Sequence, residues 1–415
     1  MANSIRIRMY RVGFGDCFLL SFPPAKAAGG GHILVDCGAH SAGTLDNLPD
    51  VVDDIGKETG GKLAAVVATH QHQDHISGFG LCADKFNQFE IGEVWLPWTD
   101  SPDDPKAQSL QRKQAALTQR LTDHFEAMPA SRLKPSNDAV NAVANLASNA
   151  KAIQALQSGF GSRATVRYLR AKDSLPALAE IPALTVEVLG PPDDQAFLAK
   201  MDPPAGQRYL RLDSGGAVEE RDAVRPFGRW WSRSQQEGIA GFPSLKITAA
   251  QLQDIQKELT VPQMDSLAFA LDQARNNTSL VLLLRLGGKL LLFPGDAQYG
   301  NWRWWLDNLN PETILPQLDF IKIAHHGSQN ASPKDAVEHL REGLSAMVST
   351  QNKPWPSIPR QPLIDRLEQV TKSEFLRSDS LRIPGKPDAP AGPVVAPLPA
   401  GFTKGDFWYD LEIAV

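Results

Sequence analysis

The sequence predicts an α/β protein whose strand ends carry its chemistry. Three observations point there. Short apolar runs with strand alternation recur along the chain, between segments of helical periodicity. One such strand runs straight into His70-Gln71-His72-Gln73-Asp74-His75, and two later ones end at Asp296 and at His325-His326. Two stretches of different composition interrupt the pattern, one after Asp100 and one after Pro192.

The elements follow in order. Ile5 to Val12 reads as a first strand, Gly13-Phe14-Gly15-Asp16 as a tight turn and Cys17 to Phe22 as the returning strand. Pro23 to Gly31 is a loop, and His32 to Asp36 a third strand closing in Asp36-Cys37-Gly38. Leu45 to Thr59 is a helix, Leu63 to Thr69 the strand that delivers the histidines, and Glu93 to Pro97 another strand. From Asp104 to about Gln157 the chain turns helical, broken at Pro129 and Pro135. Strands resume at Thr165 to Leu169 and Leu184 to Leu189. The next segment mixes Gly, Pro, Arg and Asp, with helix-like pieces at Ala249 to Leu259 and Ser266 to Ala274. Ser279 to Leu284 and Lys289 to Phe293 make a hairpin turned at Gly287-Gly288. Asn301-Trp302-Arg303-Trp304-Trp305 reads as an amphipathic helix, Phe320 to Ala324 and Ser345 to Ser349 as strands, and Pro362 to Val370 as a helix. Pro384 to Gly401 is loop or linker, and Phe407 to Ile413 a final strand. The expected division is core at 1–100, helical insertion at 101–162, core strands at 163–192, an Arg/Trp-containing insertion at 193–275 and core again at 276–415.

Bulk composition narrows the function. The 415 residues suffice for two or three domains, or one large domain with insertions. Apolar content of 42% and charged content of 21% are those of a soluble globular protein. A net charge of −5 excludes a broadly basic surface for nucleic acid or anionic membrane, though a local basic groove stays open. Cys17, Cys37 and Cys82 are too few and odd for a disulfide framework, and they fit a reducing compartment. The best apolar run, Leu280 to Phe293, is short of a membrane span and broken by Arg285 and Lys289. The N-terminus lacks a signal peptide's basic and apolar regions, so the expected location is cytoplasmic.

Three histidines and an aspartate within six residues form a ligand cluster, since imidazole and carboxylate suit Zn²⁺ and its neighbours where thiolate is absent. Residues two apart on an extended backbone point the same way, so His70 and His72 can hold one ion. Where the chain turns towards a helix, Asp74 and His75 can reach a second. Asp296 can bridge two cations, and one of His325 and His326 can complete the second ion's shell, with His325 favoured as nearer the strand end.

These pieces together resemble the metallo-β-lactamase-fold hydrolase superfamily, and within it the hydrolase domain of the competence DNA-uptake (ComEC-type) family. The matching strings are Val12 to Leu20, Ile33 to Gly38, Thr69 to Gly78, Asn277 to Leu282, Phe293 to Ala297 and His325-His326-Gly327-Ser328. The resemblance implies a four-layer αββα sandwich with two insertions and metals at one edge of the sheets. The superfamily usually supplies a third histidine to the first ion from mid-chain. Here the only histidine between His75 and His325 is His124, in the helical insertion, where it reads as a surface residue. The first ion is therefore expected on His70, His72, the Asp296 bridge and water, loosely held. Asp173 is the other mid-chain candidate and reads better as a loop residue.

The expected function is a metal-dependent hydrolase using a metal-activated hydroxide, with a phosphodiester substrate in nucleic acid or nucleotides. Two divalent ions are expected, zinc favoured and manganese the alternative. Asp74 and Asp296 are the candidate catalytic carboxylates. Asp36 is expected to orient a ligand histidine, Asp16 to anchor the turn beneath it, and Lys322, Ser328 and Asn277 to back the site or touch substrate. Arg225-Pro226-Phe227-Gly228-Arg229-Trp230-Trp231-Ser232-Arg233 interleaves phosphate-binding and base-stacking side chains, and equally suits packing on the core. Alternatives are a hydrolase of a small ester, lactone or amide, and a partner-binding or sensing module. A membrane partner is not expected, and a protein partner or homo-oligomer is left open.

Overall fold

The structure, a computed structural model, describes residues 3–24, 30–126, 139, 141–143, 149–208, 261–385 and 392–415. Among these residues the strands form two sheets. The first contains β1 (Ser4–Tyr10), β2 (Cys17–Ser21), β3 (His32–Cys37), β4 (Lys62–Val67), β5 (Glu90–Pro97), β6 (Thr165–Leu169), β13 (Phe402–Lys404) and β14 (Trp408–Ala414), ordered β13-β14-β1-β2-β3-β4-β5-β6. The second contains β7 (Thr185–Gly190), β8 (Val281–Leu286), β9 (Lys289–Phe293), β10 (Phe320–Lys322), β11 (Ser345–Val348) and β12 (Phe375–Arg377), ordered β12-β11-β10-β9-β8-β7.

Strand alternation builds the layers. Ile5, Ile7 and Met9 of β1 meet Leu282 and Leu284 of β8 and Leu291 and Phe293 of β9 between the two sheets. The outer face of the first sheet, with Leu34, Leu63 and Val66, is covered by α1 (Leu48–Thr59) and α2 (Gln73–Leu81). The outer face of the second, with Val281, Leu283 and Leu292, is covered by α6 (Tyr299–Asn308) and α7 (Gln361–Thr371). Trp302 and Trp305 supply the buried stripe of α6. Helix, sheet, sheet and helix make the observed fold a four-layer αββα sandwich.

Local chemistry sets the boundaries. The helix expected from Leu45 starts at Leu48, with Pro49 in the first turn where its missing N–H costs nothing. The hairpin pairs Leu286 with Lys289 across Gly287-Gly288, both at positive φ. Two three-residue strands, β12 and β13, are absent from the expected elements.

In the region between Asp100 and Asn276, α3 (Pro105–Glu126), α4 (Ala150–Gln157) and α5 (Val261–Asn276) are described. Helix α5 extends beyond the expected Ser266 to Ala274 at both ends. Leu121 of α3 packs with Ala268 and Leu271 of α5. The breaks at Pro129 and Pro135, the piece at Ala249 to Leu259 and the Arg225 to Arg233 motif lie outside the described residues.

Sheet direction positions the chemistry. Strands β3 to β6 run parallel to one another, as do β9 to β12. Leu280 N donates to Thr69 O at 2.9 Å, joining the start of β8 to the end of β4. Because β8 is antiparallel to β9, the C-terminal ends of β4 and β9 meet there.

Candidate metal centre

Three chain segments converge at this edge. Beyond β4 come Thr69, His70 and His72, and α2 then places Asp74 in its first turn, where the helix dipole favours a carboxylate. The approach is close: a Cβ on Gly38 would lie 2.5 Å from the carbonyl carbon of His75. Beyond β9, Gly295 takes a left-handed conformation and presents Asp296. Beyond β10, His325 and His326 are both left-handed, at φ 47° and 54°. Such backbone costs on the order of 1 kcal/mol or more per non-glycine residue. It also breaks strand alternation, and the two rings meet different partners.

Asp74, His75, Asp296 and His326 bring one donor atom each to within 4.8 Å of one another, all buried. His326 Nε2 lies 3.0 Å from Asp74 Oδ2 and 3.4 Å from Asp296 Oδ2. His75 Nε2 lies 3.1 Å from Asp296 Oδ2 and 3.8 Å from Asp74 Oδ2. His325, favoured on sequence grounds, stands further out, with Nε2 3.9 Å from Asp296 Oδ2.

Neighbouring groups hold these donors in place. Asp36 Oδ2 takes the Nδ1 proton of His75 at 2.8 Å, leaving Nε2 for the centre. Asp36 is itself held by the Thr69 N–H and hydroxyl, each at 2.8 Å. His326 Nδ1 donates to Ser349 O at 2.9 Å. Buried Lys322 donates to Gly295 O at 2.9 Å and Asp296 Oδ1 at 3.2 Å and pairs with Asp16, so Asp296 keeps Oδ2 for the cluster. Asp16, Asp36 and His75 also lie within 4.8 Å of one another. There, however, Lys322 supplies the cation and Nδ1 of His75 is already committed to Asp36.

The His70 and His72 side is built differently. His70 Nε2 lies 3.0 Å from His72 Nδ1, and His72 Nδ1 lies 2.8 Å from Asn276 Oδ1. His72 Nε2 is 3.4 Å from Asp272 Oδ1. Asn276 Nδ2 is 3.3 Å from His325 Nε2, and His325 Nδ1 is 2.8 Å from Ser328 Oγ. Asn276 and Asp272 are the neighbours that sequence reasoning missed, and Asp16 and Lys322, both expected near the site, are found paired with each other. Of the adjacent asparagines, Asn276 rather than the expected Asn277 faces the histidines. Asn277 turns away, donating to Leu198 O and Lys200 O and accepting from Asn301 N. Asp173 accepts from Arg170 N in a local turn. His124 lies within α3, and its side chain is outside the described residues.

The two sides differ in charge. Burial resists ionisation of His75, but Asp296, Asp36, Asp74 and Asp16 outweigh it and hold the imidazolium well above the usual histidine range. His326 is raised in the same way, chiefly by Asp296 against burial. Against burial, His75 and His326 hold Asp74 well below the usual carboxylate range, and His75 and Lys322 do the same for Asp296. His70 is pushed well below its ordinary value by burial, then by His75 and His72. Burial takes His72 down to about 3.

The residues fit a divalent cation. Asp74 Oδ1 and His75 Nε2 are buried without a hydrogen-bond partner. The carboxylates are anions that draw protons onto neighbouring imidazoles, so the cluster stabilises positive charge at its centre. Carboxylate oxygen with imidazole nitrogen is a donor set for zinc and its neighbours. Cys17, Cys37 and Cys82 are buried and no thiolate is part of the cluster.

Comparison with curated proteins finds no match. The chain is similar to the metallo-beta-lactamase fold protein YhfI from Bacillus subtilis, at TM-score 0.33 and 9% identity over 90% of this chain and 95% of that one. It is also similar to a beta-lactamase domain protein from Burkholderia ambifaria, at TM-score 0.33 and 12% identity over 79% of this chain and 66% of that one. The family model of the metallo-beta-lactamase superfamily matches residues 10–140, the stretch holding His70, His72, Asp74 and His75. Residues 10–140 thus match a metallo-beta-lactamase superfamily domain, within a chain whose two sheets and flanking helices make an αββα sandwich.

Proposed function

We propose that the chain is a metal-dependent hydrolase of phosphodiesters, in nucleic acid or nucleotides. The observation that carries the hydrolytic reading is the convergence of Asp74, His75, Asp296 and His326, from three separate chain segments, with buried donor atoms left unpartnered. The phosphodiester preference rests on the ComEC-type resemblance of His325-His326-Gly327-Ser328 and on the suitability of paired ions for phosphoryl centres.

In this reading Asp74, His75 and His326 would hold one ion, His70 and His72 the other, and Asp296 would serve both. Zinc is the favoured metal and manganese the alternative. Bound divalent ions lower the pKa of water from about 15.7 to near 7 and offset charge building on the attacked group. The chain's own residues supply orientation. Asp36 keeps the proton of His75 on Nδ1, and Ser349 O does the same for His326. Lys322 pins one oxygen of Asp296. Asp74 Oδ1 is free to accept a hydrogen bond from the attacking water and aim its lone pair at the phosphorus.

The test is a substrate panel with zinc- or manganese-loaded protein: single- and double-stranded DNA, RNA, bis-p-nitrophenyl phosphate, a lactone and a β-lactam. Turnover of the phosphodiesters above the others supports the reading. Turnover of the lactone or β-lactam alone would replace it with the small-substrate alternative.

A further inference from the structure

We propose that Asn276 Oδ1 completes the first cation site with His70 Nε2 and His72 Nδ1, and that Asp272 positions His72 for it. The inference rests on the two-ion reading above and names what takes the place of the missing mid-chain histidine.

The placement of protons decides which ring nitrogens carry lone pairs. Thr69 Oγ1 gives its proton to Asp36, so towards His70 Nδ1, 3.2 Å away, it acts as acceptor. The His70 proton is then on Nδ1, and the Nε2 lone pair faces His72. His72 Nε2 makes no hydrogen bond, and the Asp272 carboxylate stands 3.4 Å from it, so the charge of Asp272 favours the tautomer with its proton on Nε2 and its lone pair on Nδ1. Ser328 Oγ donates to Asn330 Oδ1 at 2.6 Å, so it accepts the Nδ1 proton of His325. His325 Nε2 therefore accepts from Asn276 Nδ2, which turns Asn276 Oδ1 towards His72.

Three lone pairs now point into one space. His70 Nε2 and His72 Nδ1 are 3.0 Å apart, and Asn276 Oδ1 is 2.8 Å from the latter. All three residues are only 1% exposed. Buried acceptors in mutual contact repel unless positive charge lies among them. Asp272 and Asn276 are four residues apart, on one face at the C-terminal end of α5. The second insertion thus reaches into the metal centre through its last turn. His325 acts as a positioning residue for Asn276, apart from the Asp74 cluster. A shell with an amide oxygen in place of a third imidazole is harder, and suits manganese better than an all-histidine shell does.

The experiment is metal content and cobalt absorption of the full chain, stripped with chelator and reloaded, for wild type, Asn276→Leu and Asn276→His. Wild type is expected to hold two ions per chain. Asn276→Leu should hold one, with the weaker ion bound at least tenfold less tightly and its share of the cobalt spectrum lost. Asn276→His should hold two, with the first site's spectrum shifted towards nitrogen ligation, which keeps the test open if Asn276→Leu does not fold. Two ions in Asn276→Leu with unchanged affinity and spectrum would overturn the proposal and leave the hydrolase reading standing. Less than one ion in wild type would overturn both.

Discussion

The two halves of the metal centre are made of different materials. Around Asp74 and His326, carboxylates and imidazoles alternate, and three of the four donors are fixed by groups outside the cluster: His75 by Asp36, His326 by Ser349 O and Asp296 by Lys322. Around His70 and His72, two imidazoles kept neutral by burial face an amide, and Asp272 of α5 stands 3.4 Å from His72 Nε2. The first half stands on the strand ends of the sandwich. The second also depends on an element outside the two sheets. One ligand cluster is thus built from the strand ends alone, while the other also draws on α5.

The largest effects should come from breaking the first half. Asp74→Ala and His326→Ala are each expected to remove one ion and lower phosphodiester turnover by about 100-fold or more, read as kcat/KM on bis-p-nitrophenyl phosphate. His325→Ala should keep the Asp74-side ion and weaken the other, a contrast that metal content will show.

Lys322→Met leaves Asp16 and Asp296 buried without their ammonium partner. Breaking a buried pair in this way costs about 3–5 kcal/mol, to be measured by urea unfolding of metal-free protein. Divalent metal should recover part of that loss. Asp36→Asn should weaken metal binding or activity by about 10–100-fold, since the amide holds the Nδ1 proton of His75 less firmly. A metal titration of the variant checks it, and an unchanged dissociation constant would remove Asp36 from the account.

The smallest effect concerns the ground behind His72. Burial pushes the Asp100 carboxyl up to about 7, against the pull of Arg275 and hydrogen bonds from Gln71 and Thr99. Its folded-state pKa thus lies above the unfolded value of about 3.9. The proton favours the folded state, so this contribution is full below about pH 4 and is lost as pH rises through 7. Asp100→Asn should remove that loss. Wild-type stability should fall relative to the variant between pH 5 and 8, as urea midpoints at several pH values will show.

Much of this was legible in the sequence. Alternation and the Gly287-Gly288 turn announce the β8–β9 hairpin, because a two-residue glycine turn leaves the register little freedom. The His70 to His75 string announces a cluster of ligand-type side chains by density alone. Which member of an adjacent pair faces the centre was not legible. His325 is nearer the strand end, but two successive left-handed residues hand the Asp74 cluster to His326. Asn277 borders β8, but α5 runs on to Asn276 and directs that residue at the histidines. Strands β12 and β13 are too short for a two-residue period to register.

The most direct measurement is turnover of bis-p-nitrophenyl phosphate by wild type and His326→Ala, before and after chelation and with metal restored. The account predicts wild-type activity that disappears with chelator and returns with zinc or manganese, and a His326→Ala protein that remains folded and inactive throughout. Activity indifferent to both chelation and the substitution would contradict it.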